Sequence, residues 1–137
     1  MAANTSPVFP LTPKINWNAA AITAANTAVD GTGTVATVYT AGSNGSRLDG
    51  IKVRALGTNV ATVLRIFINN GSTNATPANN VLFMERAIAA TTLSQTSELA
   101  DTWIPMDISL PAGYVVNVVI GTAVSAGLMV TGVGGDY

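Results

Sequence analysis

Residues 51–69 read IKVRALGTNVATVLRIFIN, and two alternations within them decide how the chain folds. In the first, Ile51, Val53 and Ala55 interleave with Lys52 and Arg54; in the second, Leu64, Ile66 and Ile68 interleave with Arg65, Phe67 and Asn69. A period of two sends successive side chains to opposite faces of a strand, so each run has one face for a core and one that is more exposed. Gly57, Thr58 and Asn59 lie between the runs with the chemistry of a turn. If they close a hairpin, Lys52, Arg54 and Arg65 share its outer face as a small basic patch. Such a patch is either simply solvated, or paired with Glu85 and Asp49, or a dedicated site for an anion or a partner.

The same rhythm extends in both directions. Short β-branched runs predict strands over residues 17–24, 33–40, 47–56, 60–69, 80–89, 103–108, 114–121 and 127–133. Between them stand turn residues: Asp30 and Gly31, Ser43 to Gly45, Asn70 and Gly71, Pro111 to Gly113, Gly134 and Gly135. No segment keeps a helical period, although LSQTSELA over residues 93–100 has the make-up for a turn or two of helix inside a long connection. About eight strands, each with one face to cover, in one domain of 137 residues, predict an all-β, antiparallel two-sheet sandwich of jelly-roll-like type. That architecture manages its edges by packing two sheets together.

Ahead of the sandwich, residues 1–16 hold Pro7, Pro10 and Pro13 at intervals of three, with Val8, Phe9, Leu11 and Ile15 among and after them. Proline disfavours helix and favours an extended arm, which divides the chain into an arm over 1–16 and a sandwich over 17–137. The arm's apolar side chains need cover. Either the arm packs along its own domain as a first edge strand, or Val8, Phe9, Leu11 and Ile15 contact a sister subunit or a larger assembly. The opening MAANTSPVFPLTPK has neither a basic n-region nor a sustained apolar h-region, which predicts intracellular synthesis without a secretory signal. On that expectation the sequons at Asn4, Asn44, Asn70 and Asn74 read as loop composition.

Hydrophobic residues make up 48% of the chain and charged residues 9%, against about a quarter in an ordinary soluble protein. Thr, Asn, Ser and Gly fill the positions that charges usually occupy. A surface that is polar but nearly neutral repels its neighbours little and favours association. A net charge of −1 with six basic residues makes nucleic acid a poor partner, because affinity there comes from neutralising several phosphates at once. The uncharged stretch between Asp107 and Asp136 is broken by Pro111 and by glycines into runs too short for a bilayer-spanning helix, so no membrane is expected.

The chain has no histidine and no cysteine. Ser-His-Asp and Cys-His nucleophile systems, histidine-based zinc sites and thiolate chemistry are thereby excluded. No glycine-rich phosphate loop occurs, so no catalytic residue, metal or cofactor is expected. Seven acids leave a two-carboxylate glycosidase as a formal rival, but only eight aromatics exist both to line a cleft and to fill a core. Trp17 and Trp103, with Tyr39 and Tyr114, are either sugar-stacking platforms or residues of the core and of subunit interfaces.

The block ATVLRIFINNGSTNATPANNVLFMERAIAATTLS over residues 61–94 and the ending LPAGYVVNVVIGTAVSAGLMVTGVGGDY over 110–137 resemble small structural proteins of tailed bacteriophages and prophages. The chain looks like a capsid decoration, or cement, protein. The resemblance implies a jelly-roll-like sandwich, commonly a homotrimer, seated on the virion outside a phage head and binding its major capsid protein to tie capsomers together. It implies no enzymatic step and carries no catalytic signature. A head fibre, a tail component or a carbohydrate-binding sandwich are the other functions compatible with such a chain.

Overall fold

The computed structural model describes residues 9–137; Val8 and the residues before it lie outside the described part. Eight strands form: β1 Thr12–Trp17, β2 Ala36–Thr40, β3 Ser46–Ala55, β4 Thr62–Asn69, β5 Asn80–Ile88, β6 Asp101–Leu110, β7 Val115–Ile120 and β8 Leu128–Asp136. They make two antiparallel four-stranded sheets, a front sheet ordered β1-β8-β3-β6 and a back sheet ordered β2-β7-β4-β5. The pairs β1 with β8, β2 with β7, β3 with β6 and β4 with β5 are nested, like one long hairpin rolled up around the β4–β5 turn. This is the strand order of a double-sheet jelly roll.

Rolling explains why the residue 57–59 turn does not close a hairpin. In this winding only β4 and β5 are consecutive within one sheet, and every other connection crosses to the opposite sheet. The link from β3 to β4 therefore carries the chain across the sandwich. Periodicity within each strand is as read: Leu48, Ile51 and Val53 of β3 face Leu64 and Ile66 of β4 across the core, all nearly or fully buried. Ile104, Leu128 and Val130 from the front sheet and Val38, Val116, Val118 and Ile120 from the back sheet complete it. Each such side chain contributes about 1.5–3 kcal/mol by leaving water.

Tyr39 is the largest fully buried side chain. Room for its ring comes from β8, where a Cβ on Gly132 or on Gly134 would press to 2.9 Å from the ring or its hydroxyl. The hydroxyl donates to the backbone carbonyl of Arg47 at 3.2 Å. Beside it, Lys14 reaches Asp136 at 3.1 Å and places its ammonium 5.4 Å from the ring centre. Tyr39 is thus no sugar platform, while Tyr114 is half-buried against the core.

Three expected boundaries shift. Residues 12–16, assigned to the arm, belong to the front sheet: β1 runs antiparallel to β8 from Thr12 opposite Asp136 to Trp17 opposite Thr131. Pro13 is tolerated there because an edge strand can leave one side without a donor. The strand expected over 17–24 ends at Trp17, after which the chain is irregular to Ala36 apart from a bridge between Ile22 and Leu128. Residues 93–100 contain no helix, and the helical turn that does form is a 3-10 turn, Pro77–Asn79, between β4 and β5. Among the described residues no helix is long and apolar enough to cross a membrane.

Candidate functional site

The two outer faces differ in how the chain treats them. Over the back sheet, the β1–β2 connection is pinned at both ends of a diagonal path. Asn26 donates its backbone N–H to Ile120 at 2.9 Å, while the Asn80 and Asn74 side chains donate to the carbonyls of Asp30 and Gly31 at 3.1 and 3.2 Å. Beneath that path Phe67, Val119 and Asn117 are buried although they point away from the core. Among the described residues the front sheet has no such cover, and its outer face carries the exposed large apolar residues Ile15, Trp17 and Trp103.

Register places these side chains in rows. Trp17, Thr131, Lys52 and Trp103 lie opposite one another across all four front strands, and Ile15, Val133, Gly50 and Pro105 form the next row. Beyond them, Met129, Arg54 and Asp101 make a third. With strands about 4.8 Å apart, the two tryptophans stand roughly 14 Å apart. Trp103 bends over the flat backbone at Gly50, where any Cβ would overlap its indole. Upstream of β1, Phe9 and Leu11 are 69% and 82% exposed, and Phe9 borders a cleft with Pro10, Arg47, Asp49, Ser109 and Tyr137 at the end of the same face.

All six charges on this face among the described residues are paired within it. Arg47 bonds Asp49 at 3.2 Å and Asp107 at 3.1 Å, and Asp101 receives Lys52 at 2.5 Å and Arg54 at 3.5 Å. The hydrogen bond from Lys52, reinforced by Arg54, holds the Asp101 carboxyl below its usual range. The basic patch expected of Lys52, Arg54 and Arg65 does not form. Lys52 and Arg54 lie on the front face, whereas Arg65 belongs to β4 of the back sheet and bonds Glu85 at 2.7 Å. The error came from the hairpin assumption, which put β3 and β4 side by side.

Protein-family models, curated proteins and solved structures were compared with the chain, and none matches.

Of the four proposed contact residues, Phe9, Leu11 and Ile15 are exposed on or beside the front face, and Val8 lies outside the described residues. Sequence reasoning missed that the two tryptophans share one open row. The signal was present in the alternation around Trp103: Ile104 and Met106 point inward, which turns Trp103 and Pro105 outward. Chemically the face offers flat apolar area, two indoles and compensated charges. Among the described residues no group of three metal-ligating side chains comes together. The carboxyls whose ionisation shifts, Asp30, Asp101 and Asp136, all shift down, the direction opposite to that required of a general acid.

Proposed function

We propose that this chain is a structural virion protein that binds the outside of a phage capsid and stabilises it, docking through the front-sheet face and residues 9–11. The observation that carries the reading is the pair of adjacent rows, uncovered among the described residues, that hold Trp17 with Trp103 and Ile15 with Pro105 on a face whose charges are already neutralised by one another. Covering such a face buries apolar area without stranding an unpaired charge. Strands of six, nine, ten and ten residues present a plane of roughly 550 Å², and residues 9–11 extend it toward the ~800 Å² that one partner gives to a standard interface. Binding the assembled shell in preference to its separated capsomers stabilises the shell by mass action. Many copies together add their individually modest effects.

The test is co-sedimentation with heads of the phage whose genome encodes the chain, counting bound copies at saturation. Saturable binding in many copies per head supports decoration. A handful of copies points to a vertex, fibre or tail role. Deleting residues 1–9 lowers affinity and spares the fold, whereas the cut must not extend to residue 14, because Lys14 belongs to β1 and holds Asp136.

A second reading, a carbohydrate-binding sandwich, is favoured by one observation: Trp17 and Trp103 flank Thr131 and Lys52 in a single row, a stacking surface at each end with hydrogen-bonding groups between. Quenching of tryptophan emission by soluble glycans, with no binding to heads, would move this reading to first place.

A further inference from the structure

Among the described residues the two sheets have four free edges, and three are blunted. β1 carries Pro13, which has no N–H, and its Lys14 ammonium reaches over to the carbonyl of Thr40 in β2. β2 is five residues long and interrupted by a bulge between Thr37 and Tyr39. β6 carries Pro105 in mid-strand, Asp101 and Asp107 on its exposed side, and a left-handed kink at Asp107 with φ of 50°. Proline, short length, bulges and charge are the devices by which a sheet edge avoids pairing with another chain.

β5 differs. It is nine residues long, has no proline, and exposes Val81, Leu82 and Phe83 by 55%, 36% and 41%. Its one irregularity, a bulge where Ile66 and Phe67 of β4 pair with Met84 and Leu82, takes Phe83 out of the ladder, and its charges, Glu85 and Arg86, come only after that point, so Val81, Leu82 and Phe83 stand as three exposed apolar residues in a row. An exposed apolar run on a proline-free edge strand is a template for a further strand.

We propose that the β5 edge takes a second copy of this chain, antiparallel, about a twofold axis at Phe83. A twofold contact requires one patch to complement itself, which an apolar patch does and a patch of single-sign charge does not. The charges of β5 are compatible with it. Glu85 is already held by Arg65 at 2.7 Å, and Arg86 stands three residues from Phe83, so the axis keeps it roughly 20 Å from its copy. The contact lies on the back sheet and leaves the front face open on both copies, so it is independent of capsid docking.

Because the chain has no cysteine, a single introduced thiol reports the contact cleanly. Phe83→Cys is expected to form a disulfide-linked pair under mild oxidation, since the axis brings position 83 against itself. Arg86→Cys is expected to stay single, because its copies lie beyond the ~7 Å a disulfide can bridge between α-carbons. Sedimentation of the full wild-type chain should give twice the chain mass, and Phe83→Lys should return it to one with an unchanged circular dichroism spectrum. A wild-type chain that stays single at about 100 µM, or a three-copy mass without a cross-link at 83, or equal cross-linking at 86, overturns the proposal. Head binding by a single chain would separate this failure from failure of the decoration reading.

Discussion

The indole of Trp103 lies over Gly50 on the neighbouring strand, in the space a Cβ at that position would occupy. Gly50→Ala must therefore lift the ring or bend β3. Overpacking of this kind costs about 1–3 kcal/mol. The expected outcome is a melting temperature lower by several degrees together with weaker binding to heads. An unchanged melt would mean that the ring swings aside freely and that the flat front face does not depend on Gly50.

Trp17 and Trp103 are 60% and 49% exposed, so tryptophan emission reports directly on the front face proposed to dock. Acrylamide should quench both in the free protein, and bound heads should protect them. Trp17→Ala and Trp103→Ala should each weaken binding by about 2 kcal/mol or more, near thirtyfold, as truncated aromatic anchors do. Full quenching in the bound state would remove the front face from the interface.

Strand existence was legible in the sequence because burial follows a period of two, clearest at Ile51, Val53, Leu64 and Ile66. The jelly-roll-like sandwich was legible too, but the path from β3 to β4 was not, since a turn such as Gly57 to Asn59 has the same residues whether it closes a hairpin or crosses between sheets. That ambiguity split the expected basic patch and moved Arg65 to the other face. The three prolines disguised β1, whose pairing with β8 spans more than a hundred residues and leaves no local trace. That Phe9, Leu11 and Ile15 are apolar residues without local cover was legible from their place in the proline-rich opening, and all three are exposed. The cross-strand row of Trp17 and Trp103 needed register, which only the folded sheet supplies.

Asn59 joins three loops at one end of the sandwich. Its side chain donates to Gly127 at 2.9 Å and accepts from the backbone of Ala126 at 2.7 Å, and its backbone exchanges hydrogen bonds with Thr91 at 2.9 and 3.0 Å. The residue is 5% exposed, so truncation leaves buried backbone groups without partners. Asn59→Ala should cost about 2–4 kcal/mol, read by urea unfolding, with faster hydrogen exchange in the β7–β8 connection. A loss below about 0.5 kcal/mol would show that water replaces the side chain.

The pH dependence of stability should have two limbs set by neighbours in space. Burial pushes the Asp136 carboxyl up, but the Ser46 hydroxyl, the Lys14 ammonium and the Gly42 N–H together outweigh it and hold the group below its usual range. A carboxyl with a lowered folded pKa releases its proton more readily when native. Its contribution is therefore complete above the ordinary value near ~4 and is lost as pH falls through the folded one. Tyr39 behaves in the opposite sense: burial pushes its hydroxyl up, so its contribution is complete below about 10 and lost as pH rises beyond that. Urea midpoints should stay level between about pH 5 and 9 and fall on either side. Asp136→Asn should flatten the acid limb and leave the alkaline one, and Tyr39→Phe should do the reverse at a cost of about 1 kcal/mol for the lost bond to Arg47. An acid limb unchanged in Asp136→Asn would assign that limb to Asp101 and Asp30, whose carboxyls are lowered in the same direction.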